Sequence, residues 1–296
     1  MPDPGAVRFL VNPGAGRGIA AASLTRLRIL ASNLGVPLAV SRNAGDLTGQ
    51  ARRAVADGVE RLLVAGGDGT MHHVVQGLAG SSCALGVIPL GTGNDLAGTL
   101  QVPPQIEPAV RLALEGPIRR IDLARIGALF TVAYAGVGFD SEVTRFANER
   151  VKILRGSLVY LYSVLHTLVT FIPPGMRVDY DGGVFSGRVM FVVVANLPRF
   201  GGGMRIAPDA VIDDGLLDLV IVREIPRATL LAVFPKVYTG RHAGHPAVTF
   251  ARTRRAEITL DRPMTLYGGG EPLRPMIPGE PVLVEAVPGA LHVVAE

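Results

Sequence analysis

Asp68 stands between two glycines in the run Gly66-Gly67-Asp68-Gly69-Thr70, directly after the apolar stretch Arg61–Ala65. Two further glycine-rich runs follow apolar stretches in the same way, Asn12-Pro13-Gly14-Ala15-Gly16-Arg17-Gly18 after Val7–Val11 and Gly91-Thr92-Gly93-Asn94-Asp95 after Leu85–Pro89. Glycine lets the main chain approach a ligand closely and take positive φ. Exposed N–H groups ahead of a helix N-terminus then favour a phosphate. An aspartate beside bound phosphates recruits Mg²⁺, which prefers oxygen ligands and keeps part of its hydration shell. Asp68 and Asp95 are the candidates for that chemistry. Both also stand where helix N-caps belong, so a capping role stays open for each.

Two familiar phosphate motifs do not account for these runs. A Walker A loop needs Gly-Lys-Ser/Thr, and neither lysine of the chain, Lys152 or Lys236, follows a glycine. A dinucleotide fingerprint can be read at Gly16, Gly18 and Ala21, but the acid expected some way downstream is replaced by Ser41-Arg42. Arg42 would suit a 2′-phosphate, which keeps NADP as a minor alternative. His242 and His245 form an H-x-x-H pair with no third ligand, in a Gly- and Pro-broken segment, and read as structural.

The elements that must position the loops alternate. Strands at Val7–Val11, Leu38–Ser41, Arg61–Ala65 and Leu85–Pro89 are separated by helical stretches at Ile19–Leu34, from Asp46 as N-cap through Ala56, at Met71–Leu78 and from Asn94 to Thr99. That pattern predicts parallel βαβ units, whose loops share one carboxyl edge, where open α/β sheets bind ligands. Beyond about Arg120 the texture turns β-rich, with strands at Leu129–Tyr134, Met176–Tyr180, Val184–Val194, Leu216–Val222, Ala256–Leu260, Val282–Val287 and Ala290–Val294. Helical stretches at Glu142–Ile172 and Arg227–Tyr238 interrupt them. The expected fold is α/β with a parallel sheet, followed by an antiparallel domain, the boundary lying near Gly116-Pro117.

Composition sets further bounds. Of 296 residues 48% are hydrophobic and 18% charged, enough apolar material for a packed core. A single cysteine, Cys83, excludes an internal disulfide and a cysteine-built metal site. The net charge of +4 is spread without a dense basic run, which argues against nucleic acid as partner and leaves anionic substrates or membrane surfaces. The N-terminus shows no signal-peptide pattern. The most apolar segment, Ser157–Ile172, is too short and too polar for a membrane span and reads as a buried helix, with an interfacial helix as the alternative.

Taken together these residues resemble the catalytic domain of the diacylglycerol kinase and sphingosine kinase family, most of all its bacterial lipid kinases. The resemblance continues in Gly136-Val137-Gly138-Phe139-Asp140, in Gly201-Gly202-Gly203 followed by Ala207-Pro208-Asp209-Ala210, and in Asp213-Asp214-Gly215-Leu216-Leu217-Asp218. The GGDGT run alone is shared with NAD kinases and 6-phosphofructokinases. The GTGNDLA and DDGLLDL runs point to the lipid kinases. The resemblance implies an α/β nucleotide-binding domain, residues 1–120 joined by 288–296, and a larger C-terminal antiparallel β-sandwich domain, 121–287, that takes the lipid.

The activity so implied is transfer of the γ-phosphoryl group of ATP to a lipid hydroxyl, diacylglycerol-like, with Mg²⁺. Asn12, Gly66, Gly67, Gly69, Thr70, Thr92, Asn94 and Asp95 would contact the nucleotide. Asp68 would be catalytic and hold the Mg²⁺–water network. Asp214, with backbone oxygens near Leu217 and Leu219, resembles a structural Mg²⁺ site, the alternative being an ordinary Asp-Gly turn. The protein would act in the cytoplasm, peripherally on a membrane surface, and a homodimer through edge strands is open.

Two departures from the family pattern stand out. The family carries Asp-Gly-Glu near its C-terminal end, its Asp the proposed general base; here Gly269-Gly270-Glu271 stands in its place. The Asn-Glu pair after GGDGT-x is His72-His73. Glu271 is kept as a catalytic candidate, and Glu271, His72 or His73 could stand in for the base. The alternative reading is a catalytically impaired nucleotide or lipid binder.

Overall fold

The computed structural model of the chain describes residues 3–150 and 157–296. The first half is the expected alternation: β1 (Val7–Val11), α1 (Ile19–Asn33), β2 (Leu38–Val40), α2 (Ala44–Ala56), β3 (Arg61–Gly66), α3 (Asp68–Leu78), β4 (Ala84–Pro89), α4 (Asp95–Thr99) and α5 (Ile106–Glu115). The strands pair in parallel, in the order β2-β1-β3-β4. Strands β1, β3 and β4 are buried along nearly their whole length and the edge strand β2 is half-buried, as helices cover both faces: α1 and α5 on one, α2 and α3 on the other. The chain leaves β1 toward β2 and leaves β3 toward β4, so the order reverses between β1 and β3. The crevice at such a reversal lies at the carboxyl ends of the strands, where Asn12 and Gly67 are.

The second half runs β5 (Ile118–Ile126), β6 (Leu129–Thr131), β7 (Tyr134–Gly138), α6 (Phe139–Arg150), α7 (Ser157–Thr170), β8 (Gly175–Tyr180), β9 (Gly183–Ala195), β10 (Leu217–Arg223), α8 (Arg227–Val233), β11 (Val248–Thr253), β12 (Arg255–Leu260), β13 (Met264–Gly268), β14 (Glu271–Met276) and β15 (Val282–Val294). All pairings within it are antiparallel. Strand β9 serves two layers: Gly183–Arg188 pairs with β8, and the stretch from Val189 to Ala195 pairs with β7 and β10. An apolar core drawn from β5, β7, β8, β9, β10 and β12 to β15 lies between the layers, a sandwich as expected.

Several boundaries differ from the sequence reading. Asn43, not Asp46, caps α2: its side chain accepts from the Asp46 N–H at 2.9 Å, while the Asp46 carboxylate accepts from the Arg42 N–H at 3.0 Å. The arrangement resembles a capping box, with the return bond going to the residue before the cap rather than to the cap itself. Leu129–Tyr134 is divided between β6 and β7. Val282–Val287 and Ala290–Val294 form one strand, with a register shift between Val287 and Leu291. The helical stretch Glu142–Ile172 is two helices, and 151–156 between them lie outside the described residues. The elements α5, β5, β11, β13 and β14 were not read from the sequence. Among the described residues no helix is long and apolar enough to cross a membrane.

The two halves are joined by β5 and β15. They pair along most of their length, and Val293 of β15 also pairs in parallel with Leu85 of β4. Asp122 of β5 holds this seam. It is 2% exposed, and its carboxylate accepts from the Gly215 N–H at 2.6 Å and from the Gly289 N–H, at the irregularity of β15, at 2.7 Å. Its carbonyl accepts from the Asn196 side chain at 2.8 Å. Removing the carboxylate orphans two amides that a charged acceptor serves. We expect Asp122→Ala to lower the unfolding free energy by about 3 kcal/mol, and Asp122→Asn by less, as read from urea unfolding followed by circular dichroism.

Candidate active site

The three glycine runs meet. A Cβ added to Gly67 would stand 2.7 Å from the Gly91 Cα, and one added to Gly16 2.0 Å from the Leu90 carbonyl oxygen. Here the loops after β1, β3 and β4 touch through bare backbone. Polar contacts complete the junction. The Asn12 amide donates to the Thr70 hydroxyl at 2.9 Å, and the Asp95 N–H donates to the Asp68 carboxylate at 2.7 Å. Asp68 opens α3, where the helix dipole favours a negative side chain.

The candidate residues divide into those that build the cradle and those that line it. Thr70 is 3% exposed and packs against Gly66, where a Cβ would strike it; with Asn12 it is a strut rather than an open ligand contact. Asn94 takes φ 53° and closes its own loop, accepting from the Gly91 N–H at 2.8 Å and donating to the Gly91 carbonyl at 2.9 Å. The helix therefore begins at Asp95, not at Asn94. Asp95, 6% exposed, reaches toward the second half of the chain. Its carboxylate accepts from the Gly202 and Gly203 N–H groups at 3.3 and 3.2 Å. Burial, then the nearby Asp68 charge, raises its pKa above the usual carboxylate range. Thr92 and Gly93 are exposed at the mouth.

The residues present fit a nucleotide with Mg²⁺. The cradle is backbone, and any side chain at Gly93 would cover Asp68, whose second oxygen lies 2.7 Å from the position of a Cβ there. Among the described residues no three His, Cys, Asp or Glu side chains form a metal cage. A Mg²⁺ ion suits such a place by sharing water and phosphate oxygens with one or two carboxylates. The Asp214 set does not fit a metal. The Asp214 carboxylate is paired with the Arg252 guanidinium and accepts from the Leu216 N–H at 3.0 Å. Leu217 and Leu219 lie in β10, paired with β9 and β11 on either side. The Asp-Gly turn is the better description. Arg42, the residue that would have suited NADP, lies against Asp46 at 3.7 Å. His242 Nε2 lies 3.0 Å from the Ile206 carbonyl, and His245 Nδ1 accepts from the Ala247 N–H at 3.2 Å, both structural roles.

The second half contributes a hairpin and a loop. Gly268 pairs with Glu271, leaving Gly269 and Gly270 as a two-residue turn with φ of 61° and 83°. Positive φ at both positions is the demand of a type I′ turn. The hairpin brings the Glu271 carboxylate to the first turn of α3, 3.4 Å from where a Gly69 Cβ would stand. The Gly201–Gly203 loop, strapped by Asp95, is flanked by Phe200 and Met204. Both line an enclosed apolar cavity with Phe139, Val193, Leu230 and Val237.

Sequence reading missed the parts played by Asp122 and by the 201–203 amides, and left His72 undecided. An aspartate inside the buried run of β5 was the available signal for the first. His72 is 6% exposed, its Nδ1 is buried without a hydrogen-bond partner, and burial, then the adjacent His73, lowers its pKa to about 4. The unfolded chain thus binds this proton below about pH 6.5 while the native state resists it down to about pH 4. The contribution of this group to stability is full above pH 6.5 and falls as the pH drops through that window. His72→Gln is expected to remove about 3 kcal/mol of the pH-dependent loss between pH 7 and pH 4, measured by urea unfolding of both proteins across that range.

With this geometry in view, the chain can be set beside known proteins. Residues 6–126 match the diacylglycerol kinase catalytic domain, and residues 132–295 match the YegS C-terminal NAD kinase beta sandwich-like domain. A diacylglycerol kinase of Bacillus subtilis is 30% identical over 283 residues, 92% of this chain and 91% of its own length. A diacylglycerol kinase of Staphylococcus carnosus is 29% identical over 89% of this chain and 88% of its own. A crystal structure of a diacylglycerol kinase from Bacillus anthracis superposes with a TM-score of 0.75 at 24% identity, covering 98% of this chain and 96% of that one. Two family domains in chain order, a shared fold and this identity across nearly the whole length establish that the chain belongs to the diacylglycerol kinase family.

Proposed function

We propose that this protein is a lipid kinase that transfers the γ-phosphoryl group of ATP, with Mg²⁺, to the hydroxyl of a diacylglycerol-like lipid. The observation that carries the reading is the convergence of three bare-backbone loops on Asp68, beside a loop that flanks an apolar cavity. Residues 1–120 with 288–296 form the nucleotide half, and 121–287 the acceptor half. The glycine amides of the Asn12–Gly18, Gly66–Thr70 and Gly91–Asn94 loops bind the phosphates, with Gly67, Gly69 and Thr92 nearest the ligand. Asp68 orients the Mg²⁺ and its water. When bound, the ion neutralises charge on the phosphates during transfer. Asp95 holds the 201–203 loop across the cleft, and the apolar cavity receives part of an acyl chain. Acceptor and nucleotide halves meet where Glu271 overhangs Gly69. An impaired binder is the second reading, favoured by Gly269 alone.

Positioning and electrostatics dominate phosphoryl transfer, so loss of the carboxylate is costly even with the fold intact. We expect Asp68→Asn to reduce transfer from labelled ATP to diacylglycerol by roughly 10²- to 10³-fold with an unchanged circular dichroism spectrum, and chelation of Mg²⁺ to abolish it. Absence of transfer to any of diacylglycerol, monoacylglycerol, sphingoid base or phosphatidylglycerol overturns the reading, and transfer to NAD instead replaces it. Val193→Phe, which fills the cavity, should raise KM for long-chain acceptors while leaving that for ATP unaltered.

A further inference from the structure

The side chain missing at Gly269 leaves a definite direction in space. A Cβ built there would lie 3.6 Å from the His72 Cβ and 3.6 Å from its Nδ1. A side chain at this turn would therefore start in van der Waals contact with an imidazole from α3. His72 lies four residues after Asp68, one turn along the same helix face. Together Asp68, His72 and Gly269 border a small cavity of about 10 Å³, walled otherwise by Thr131 and by apolar groups such as Leu96, Val132 and Leu197. That is room for about one water or hydroxyl oxygen. The His72 Nδ1 is buried without a hydrogen-bond partner, which is a costly arrangement unless a ligand completes it.

We propose that His72 is the catalytic base of this enzyme, accepting at Nδ1 the proton of the lipid hydroxyl. The inference rests on the lipid kinase reading and deepens it. With its own proton on Nε2, the imidazole offers an Nδ1 lone pair to the cavity. As the acceptor O–H bond breaks, its proton passes to Nδ1. The oxygen bonds to the γ-phosphorus, the bond from that phosphorus to the β,γ-bridging oxygen breaks, and ADP leaves with the electron pair. The imidazolium then returns its proton to solvent.

Burial keeps this ring neutral at pH 7, with a pKa near 4, so it is unprotonated when needed and close in basicity to the carboxylate it replaces. Glu271 is less suited, because its carboxylate overhangs Gly69 rather than entering the cavity. His73 meets His72 edge-on at 5.2 Å between ring centres and does not border the cavity.

The test is a set of four proteins: wild type, His72→Ala, Gly269→Asp and the double variant, each assayed with labelled ATP, Mg²⁺ and diacylglycerol in mixed micelles, with Mg·ATP affinity measured by calorimetry. We expect His72→Ala to lower kcat by roughly 10²- to 10⁴-fold at unchanged ATP affinity. Gly269→Asp alone should lower kcat too, because its carboxylate would crowd the imidazole that its Cβ already touches. The double variant should regain at least tenfold over His72→Ala, because an aspartate suits the turn and finds the space vacated. Added imidazole should also partly restore His72→Ala. His72→Asn, which keeps most of the volume, should behave as His72→Ala and serves if the latter does not fold.

Undiminished kcat in either His72 variant, or a gain of activity from Gly269→Asp in the presence of His72, overturns the inference while the kinase reading stands. Absence of transfer by the wild type and by every variant overturns the kinase reading itself.

Discussion

Gly67 and Gly91 pass each other with no side chain between them, and the rest of the site depends on that approach. The contact fixes the spacing between the loops after β3 and β4, so that the Asp95 amide reaches the Asp68 carboxylate at 2.7 Å. That hydrogen bond in turn sets the start of α4 and the direction of the Asp95 side chain, which gathers the Gly202 and Gly203 amides from the other half of the molecule. A single steric allowance thus passes through two carboxylates to the segment that borders the apolar cavity. The price of the arrangement is a buried acid beside another acid, and the two backbone N–H groups from 202 and 203 offset part of it.

The parts of this architecture that were legible in the sequence are those governed by local rules. Apolar runs ended by glycine marked β1, β3 and β4, and the three loops were recognisable because each combined a strand end with a helix start. The parts that were not legible depend on distant partners. Asn43 and Asp46 are both good cap residues, and only the backbone path decides that Asn43 caps while Asp46 reaches back to Arg42. Strand β14 contains two prolines in six residues, a poor strand signal by propensity, yet the tight turn at Gly269-Gly270 folds it onto β13. Pro288-Gly289 reads as a break, but the Asp122 carboxylate bridges it and one strand continues through. Thr70 and Asp95 were readable as site residues by type, whereas their orientation, toward Asn12 and toward the 201–203 loop, came from tertiary packing.

Replacing an anionic base with a neutral one changes the electrostatics of the resting site. A carboxylate near the γ-phosphate repels it before reaction, and that repulsion is relieved only on protonation. In the mechanism proposed above, a buried imidazole carries no charge until it accepts a proton, and the cation so formed would lie beside the same cavity as the Asp68 carboxylate four residues earlier on the helix. Under that proposal Gly269 and His72 belong together, since a Cβ at 269 would stand 3.6 Å from the His72 ring nitrogen Nδ1.

The parallel pairing of Val293 with Leu85 has a consequence for biogenesis. During synthesis β4 emerges long before β15, and until Val293 arrives its outer row of amides and carbonyls has no strand to meet on that side. A ribosome-bound chain that has completed α5 carries an open sheet edge of the kind that invites pairing with other chains. Contacts so far apart in sequence also slow folding. The parallel sheet therefore waits for a strand made about 200 residues later (Leu85 to Val293), and newly made chains are most exposed to aggregation and to chaperone capture between emergence of β4 and arrival of β15.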